Sequence, residues 1–225
     1  MGYQVAIDGP AGAGKSTIAR LLAEKTGFVY VDTGAMYRGL AVYFLKKGIR
    51  PEETERIIES CGEASVDIRY EDGLQQVYVN GENVTGMLRE EAVGNMASIV
   101  SAVPEVRSAL LELQRNLART QNVVMDGRDI GTHVLPDADV KIYLTASVET
   151  RAGRRYKELV DKGVKCDLAE IAEDIRIRDE RDMNRETAPL KQAEDAVLID
   201  SSSMTIPEVV EAMSGLIKPG TASGR

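Results

Sequence analysis

The chain has 225 residues and a formal net charge of −8, and 43% of its residues are hydrophobic. This length suits one α/β domain with insertions, and the acidic balance excludes a general nucleic-acid surface, which would need a basic stripe. No apolar run approaches the length of a membrane span, and the first residues lack the basic flank and apolar region of a signal peptide.

We therefore expect a cytoplasmic monomer with small-molecule ligands and no nucleic-acid or membrane partner. The two cysteines, Cys61 and Cys166, are far apart in the sequence, and there is one histidine, His133. None of these has the spacing of a zinc site, so all three are expected to be structural.

The first element is a short apolar run, residues 3–8, which predicts a buried strand. Beyond it, Ile18, Leu21 and Leu22 follow helical spacing until Gly27 offers a stop. The connecting residues fit the P-loop pattern, in which backbone N–H groups and the start of the helix surround phosphate. These residues, all expected to bind ATP, are Gly9, Pro10, Ala11, Gly12, Ala13, Gly14, Lys15, Ser16 and Thr17. Lys15 would reach the β- and γ-phosphates, and the Ser16 hydroxyl would coordinate Mg²⁺.

Four further strands are predicted at 28–32, 122–126, 139–145 and 196–200, with helical patterns between them. Such alternation predicts a parallel α/β sheet, whose ligands gather at the carboxyl ends of the strands. The predicted fold is therefore a P-loop NTPase core with a five-stranded parallel sheet flanked by helices. Gly9, Asp32, Asp126 and Asp200 fall at strand ends.

Residues 63–87 depart from this alternation. Apolar residues recur at every second position on both sides of Asp72-Gly73, and Asn80-Gly81 is a second turn signal. The pattern predicts a small antiparallel β insertion. Its role has two open interpretations: a surface excursion without function, or a mobile flap over a substrate site.

Asp126 ends an apolar run and is placed like the second acidic residue of P-loop enzymes, which holds Mg²⁺ directly or through water. The alternative is an ordinary aspartate that caps a turn. Arg128 and Asp129 follow at the same predicted sheet edge, and Arg38 follows the second strand. The two arginines are candidates for binding the phosphate of an acceptor.

Residues 147–185 contain ten basic and ten acidic side chains, and seven of the basic ones are arginines. Two arginine-rich helical stretches, 151–158 and 178–185, are joined by the connector 161–167. Solvated surface ion pairs would explain an isolated pair of charges. The number of arginines instead favours a lid that closes over the triphosphate and excludes water.

A P-loop alone does not define the reaction. The chain has no Asn-Lys-x-Asp motif of a GTPase and no internal repeat of a motor or transport ATPase. A small-molecule kinase needs a second anion site and arginines to neutralise the moving phosphoryl group, which this sequence offers. A kinase for another small acceptor and a non-catalytic ATP-binding regulatory module remain as alternatives.

Five segments together resemble bacterial cytidylate kinases over nearly the full chain: 6–17 (AIDGPAGAGKST), 32–38 (DTGAMYR), 125–132 (MDGRDIGT), 149–155 (ETRAGRR) and 178–190 (RDERDMNRETAPL). The resemblance implies a nucleoside monophosphate kinase with an arm that binds the monophosphate and a lid. It also implies Mg²⁺-dependent transfer of the ATP γ-phosphoryl group to CMP or dCMP.

The resemblance also implies roles for individual residues. Arg38 and Arg128 would hold the acceptor phosphate beside Thr33. Ser98, Arg107 and Asp129 would read cytosine, and a carboxylate suits its exocyclic amine. Arg178 and Asp182 would contact the ribose, and Arg185 the phosphates. The proposed catalytic residues are Lys15, Asp126, Arg154, Arg155 and Arg185.

The domain prediction is a single kinase domain over residues 1–218. Its core comprises 1–34, 120–146 and 190–218, its arm about 35–119, and its lid about 147–189. Residues 219–225, which are small and polar, are predicted to be a flexible tail.

Overall fold

The structure is a computed structural model that describes residues 2–218. The predicted tail, 219–225, lies outside the described residues. Within them the strands are β1 (Gln4–Asp8), β2 (Val29–Asp32), β3 (Val66–Glu71), β4 (Leu74–Val79), β5 (Glu82–Asn83), β6 (Val123–Asp126), β7 (Val140–Thr145) and β8 (Val197–Asp200). The helices are α1 (Lys15–Thr26), α2 (Thr33–Lys46), α3 (Thr54–Cys61), α4 (Glu91–Val100), α5 (Pro104–Thr120), α6 (Val148–Asp161), α7 (Leu168–Asn184) and α8 (Ile206–Ser214).

The main sheet has five strands in the order β2-β6-β1-β7-β8. β1 runs parallel to β6 and β7, and β8 runs parallel to β7. All five side chains of β1 are buried, as expected for a central strand covered on both faces. The predicted P-loop core with its five-stranded parallel sheet is confirmed, and β3, β4 and β5 form the predicted antiparallel insertion.

The described chain forms two compact units, residues 31–120 and residues 2–30 with 121–218. In the second unit, apolar side chains from β1, β6, β7, β8, α1 and α8 form one hydrophobic core. In the first unit, the buried side chains come from α2, the insertion, α3, α4 and α5. The division into core, arm and lid remains a prediction.

Two helix ends carry capping residues, and the first of them, Gly27, is predicted from the sequence. α1 ends at Gly27, which adopts the left-handed conformation with φ 71°. α8 begins after Thr205, whose hydroxyl and main chain exchange hydrogen bonds with Glu208 in a capping box. None of the helices among residues 2–218 is long and apolar enough to cross a bilayer.

One prediction about helix length is wrong. The helical stretch predicted over residues 178–185 includes Arg185, but α7 ends at Asn184 and Arg185 has an extended backbone with ψ 142°. The chain reverses here, because the Leu190 N–H donates to the carbonyl of Asp182 (2.8 Å). The Arg185 Nε donates to the carbonyl of Ala188 (2.8 Å), which stabilises the turn.

Candidate active site

The loop between β1 and α1 has the geometry of a phosphate-binding loop. Gly9, Gly12 and Gly14 all have positive φ, which residues with a Cβ rarely adopt. A Cβ added to Gly9 would also overlap the carbonyl oxygen of Leu144 in β7. The loop leads directly into the first turn of α1, whose N–H groups and dipole favour a bound anion.

Lys15 lies inside this loop rather than on the surface. It is 6% exposed, and its Nζ donates to the carbonyl of Pro10 at 2.8 Å. Burial, followed by the positive charge of Arg128, lowers the pKa of Lys15 well below its usual value. A bound triphosphate would oppose both effects, so the site favours a highly charged anion beside this ammonium group.

Two side chains next to the loop, Ser16 and Asp126, offer oxygen atoms that could hold a hard cation. The Ser16 hydroxyl donates to Asp126 Oδ2 at 3.0 Å, and the Tyr30 hydroxyl donates to Asp126 Oδ1 at 2.9 Å. Asp126 is 4% exposed at the end of β6. A hydroxyl and a carboxylate are ligands that Mg²⁺ accepts together with phosphate oxygens and water. These residues therefore fit Mg²⁺, and Tyr30 fixes the orientation of the carboxylate.

Asp8 connects the phosphate-binding loop with the segment that carries Arg128 and Asp129. Its two carboxylate oxygens accept the N–H groups of Ile130 and Gly131, both at 2.8 Å. Burial raises the pKa of Asp8 to about 6, with a smaller contribution from the charge of Asp129, although the two backbone hydrogen bonds oppose the rise. Asp8 thus holds the turn at 130–134 against the end of β1.

In the unit that contains this loop, the predicted acceptor residues form two ion pairs. Arg128 Nε donates to Asp182 Oδ2 at 2.8 Å, and Arg185 Nη2 lies 3.5 Å from Asp129 Oδ1. Arg178 is half-buried in α7, one turn before Asp182. The carboxylates of Asp129 and Asp182 are nearly inaccessible, so the segment 128–129 is held against the end of α7.

In the other unit, Thr33 is the first residue of α2 and is 3% exposed, whereas Arg38 is half-buried in the second turn of the same helix. Arg107 is 6% exposed in α5, with its guanidinium carbon 5.8 Å from the centre of the Tyr37 ring. Arg107 therefore lies beside Tyr37, the residue that precedes Arg38 in α2.

The loop after α4 connects Ser98 and Arg107, two of the residues predicted to read cytosine. Arg107 Nη1 donates to the carbonyl of Ser101 at 3.2 Å, and the Ser101 hydroxyl donates to the carbonyl of Ser98 at 2.9 Å. Ser98 is half-buried in α4. Ser98 and Arg107 are thus connected through Ser101.

The arginines of α6, which the sequence placed in one arginine-rich helical stretch, differ in their surroundings. Arg155 is exposed and pairs with Glu158 at 2.9 Å. Arg154 donates to the carbonyl oxygen and hydroxyl of Ser201, at 2.7 and 3.3 Å. Both arginines would have to exchange these partners in order to bind phosphate.

Arg151 is the buried arginine of this helix. It is 4% exposed, donates to the carbonyls of Ala11 and Ala146 (both 2.9 Å) and pairs with Asp179 at 2.6 Å. This single side chain therefore ties α6 and α7 to the phosphate-binding loop. Its contacts identify it as a structural link between the two helices and the P-loop.

Sequence reasoning did not identify Asp8, Tyr30, Arg151 or Asp179 as site residues. Asp8 did carry a signal, because it ends β1 at the sheet edge where ligands gather. Arg151 and Asp179 lie in the arginine-rich stretches 151–158 and 178–185, but the sequence does not show that they pair with each other. Tyr30 carried no signal, because an ordinary strand pattern surrounds it and its partner Asp126 is distant in the sequence.

The site combines a P-loop and its buried lysine with a serine and an aspartate suited to Mg²⁺ and with paired arginines nearby. These features define a P-loop phosphotransferase. Comparison with known proteins identifies the family within this class. The family model described as cytidylate kinase matches residues 5–219. The chain belongs to the cytidylate kinase family.

Curated relatives support the same assignment. The cytidylate kinase of Caldicellulosiruptor bescii is 49% identical over 207 residues, which cover 92% of each chain. That of Exiguobacterium sp. is 49% identical over 215 residues, or 96% of each chain. That of Alkaliphilus metalliredigens is 50% identical over 208 residues, or 92% of this chain and 93% of the relative.

Proposed function

We propose that this chain catalyses the Mg²⁺-dependent transfer of the γ-phosphoryl group of ATP to CMP and dCMP, and that it works as a cytoplasmic monomer. The observation that carries the proposal is the similarity to relatives named cytidylate kinase, 49% identical over 96% of each chain in one case. The phosphate-binding loop and its buried lysine support the triphosphate half of the reaction independently.

Residues 9–17 bind the phosphates of ATP through main-chain N–H groups. Lys15 contacts the β- and γ-phosphates, and its lowered pKa is restored by their negative charge. Ser16 and Asp126 hold Mg²⁺, which when bound neutralises charge on the phosphates. Tyr30 keeps the Asp126 carboxylate oriented through its hydrogen bond of 2.9 Å.

The acceptor nucleotide is recognised at its phosphate, ribose and base. The phosphate lies against Thr33 and is bound by Arg38 and Arg128, because a planar guanidinium binds phosphate oxygens in pairs. The remaining substrate-binding residues are Ser98, Arg107 and Asp129 for cytosine, Arg178 and Asp182 for ribose, and Arg185 for the phosphates. The ion pairs of Arg128 with Asp182 and of Arg185 with Asp129 are consistent with these neighbouring roles.

The transfer step requires no general base, because the acceptor phosphate is already a nucleophile near neutral pH. Arg185, Arg154 and Arg155 stabilise the charge that spreads over the moving phosphoryl group. Exclusion of water strengthens these contacts and prevents hydrolysis of ATP.

A panel of acceptors tests the proposal. ADP release is measured with CMP, dCMP, UMP, AMP and shikimate at fixed ATP and Mg²⁺. We expect turnover with CMP and dCMP well above the other acceptors. ATP binding without acceptor-dependent turnover would instead indicate a regulatory module, and preference for another acceptor would identify a different kinase.

Asp129→Ala tests the assignment of base recognition. A carboxylate accepts from the exocyclic amine of cytosine but repels the carbonyl that uracil has at that position. The variant is therefore expected to lower the ratio of kcat/KM for CMP to that for UMP by about tenfold or more. Asp137→Ala, at an exposed position, is the control. An unchanged ratio would remove Asp129 from base recognition.

A further inference from the structure

The β insertion makes a specific contact with the start of α2. The side chain of Gln75, in β4, binds the peptide groups on both sides of Asp32: the Asp32 N–H donates to Gln75 Oε1 at 2.9 Å, and Gln75 Nε2 donates to the Asp32 carbonyl at 3.0 Å. A neighbouring β-strand would provide the same pair of bonds. The amide thus acts as a one-residue strand partner for the last residue of β2.

Asp32 is the residue at which β2 ends and α2 begins. Its side chain accepts the N–H of Ala35 at 2.9 Å and caps the helix. Gln75 holds the main chain of this cap residue, and Thr33 follows immediately. The clamp therefore holds the main chain at the residue where α2 begins.

The insertion also packs on the next part of α2. A Cβ added to Gly39 would lie 2.8 Å from Val77 Cγ1 and 3.3 Å from Val79 Cγ2. Both valines are buried, at 0% and 5% exposure. Arg38 thus lies between two anchors of the same insertion, the Gln75 clamp at Asp32 and the valine contact at Gly39.

We infer that Gln75 is a positioning residue for the acceptor phosphate, and that the β insertion holds the start of α2 in the geometry that binds CMP. The inference rests on the proposed function, in which Thr33 and Arg38 contact the acceptor. It differs from both roles that the sequence left open for the insertion, because here the insertion acts by holding the start of α2.

Gln75→Leu tests the inference because leucine has a similar size and cannot form either hydrogen bond. Loss of the clamp lets the first turn of α2 occupy other conformations, so we expect KM for CMP to rise roughly tenfold, while KM for ATP stays within about twofold. Gln76→Leu is the matched control, since Gln76 is the next residue of β4, is also half-buried and contacts Asn83 instead. It is expected to change neither constant.

Hydrogen exchange gives a second measurement that does not depend on activity. In the enzyme without nucleotide, Gln75→Leu should speed amide exchange in a peptide that covers residues 32–36, and Gln76→Leu should not. Faster exchange with an unchanged KM for CMP would overturn the positioning role. Unchanged exchange would overturn the clamp itself.

Two further variants keep the result interpretable. If Gln75→Leu does not fold, Gln75→Glu carries the test, because it keeps the acceptor for the Asp32 N–H but loses the donor to the Asp32 carbonyl. An unchanged KM for CMP and unchanged exchange in this variant would overturn the inference. Arg38→Ala in the same series distinguishes a failure of the proposed function from a failure of the inference. If this variant leaves KM for CMP unchanged, the proposed acceptor site is wrong. The hydrogen-exchange measurements then still test the contact between Gln75 and Asp32.

Discussion

The carboxyl group of Asp8 should make the stability of the protein depend on pH in an unusual direction. Most carboxylates stabilise a fold more as they ionise, but Asp8 is buried and its pKa is raised from 3.8 to about 6. Between these values the folded chain holds a proton that the unfolded chain has lost. The contribution of Asp8 to stability is therefore fully present below about pH 4 and is lost as the pH rises through 6.

The size of this effect follows from the two pKa values. The difference between 3.8 and about 6 corresponds to about 3 kcal/mol of unfolding free energy. Asp8→Asn removes the titration but leaves an acceptor for one of the two N–H groups of Ile130 and Gly131. The substitution also removes the partner of one buried N–H, a cost of about 1–3 kcal/mol that does not itself vary with pH.

The test compares the free energy of unfolding of the two proteins between pH 4 and pH 7.5. Urea denaturation followed by far-UV circular dichroism is suitable, since the chain has no tryptophan to report by fluorescence. Relative to Asp8→Asn, the wild-type protein should lose about 2 kcal/mol, most of the full effect, between pH 4 and pH 7. Asp137→Asn removes a surface carboxylate and controls for net charge. Parallel pH profiles for wild type and Asp8→Asn would refute the reasoning.

Three other substitutions test the phosphate-binding loop and its connection to α6 and α7. Lys15→Met should reduce turnover on the order of 10³-fold with an intact circular dichroism spectrum, and near-normal kcat would contradict its role at the phosphates. Asp179→Ala leaves the buried guanidinium of Arg151 without its carboxylate, so the free energy of unfolding measured in urea should fall by about 3–5 kcal/mol. The control Glu158→Ala removes an exposed ion pair and should cost less than about 1 kcal/mol, and equal losses in the two variants would contradict this. Gly9→Ala should lower Tm strongly, because its Cβ would overlap a main-chain carbonyl of β7, whereas Gly62→Ala meets nothing within 4 Å and should leave Tm unchanged.

The elements of the fold could be predicted because their signals are local. Each strand of the main sheet is a short apolar run, and α1 and α8 carry their own start or stop residues in Gly27, Thr205 and Glu208. The end of α7 could not be predicted from the helical pattern of residues 178–185 alone. It depends on the hydrogen bond between Leu190 and Asp182, which no local pattern reveals.

The candidate site could be predicted where a backbone pattern defines it. Residues 9–17 form a recognisable spacing, and Asp126 ends a strand. The contacts of Arg151 could not be foreseen, because a helical arginine near a glutamate is indistinguishable in sequence from one that reaches a loop carbonyl 140 positions away. The contact of Gln75 could not be foreseen either, because its partner Asp32 lies 43 positions earlier in the sequence.

The position of β1 in the sheet has a consequence for the order in which the protein can fold. All five of its side chains are buried, yet its neighbours β6 and β7 come from the second half of the chain, and Tyr3 binds Asn122 across 119 positions. At ordinary rates of translation, β1 leaves the ribosome on the order of 10 s before β6 exists. During that interval an apolar strand has no partner on either edge. We therefore expect the nascent chain to be most prone to aggregation, and most dependent on chaperones, before residue 126 has been synthesised.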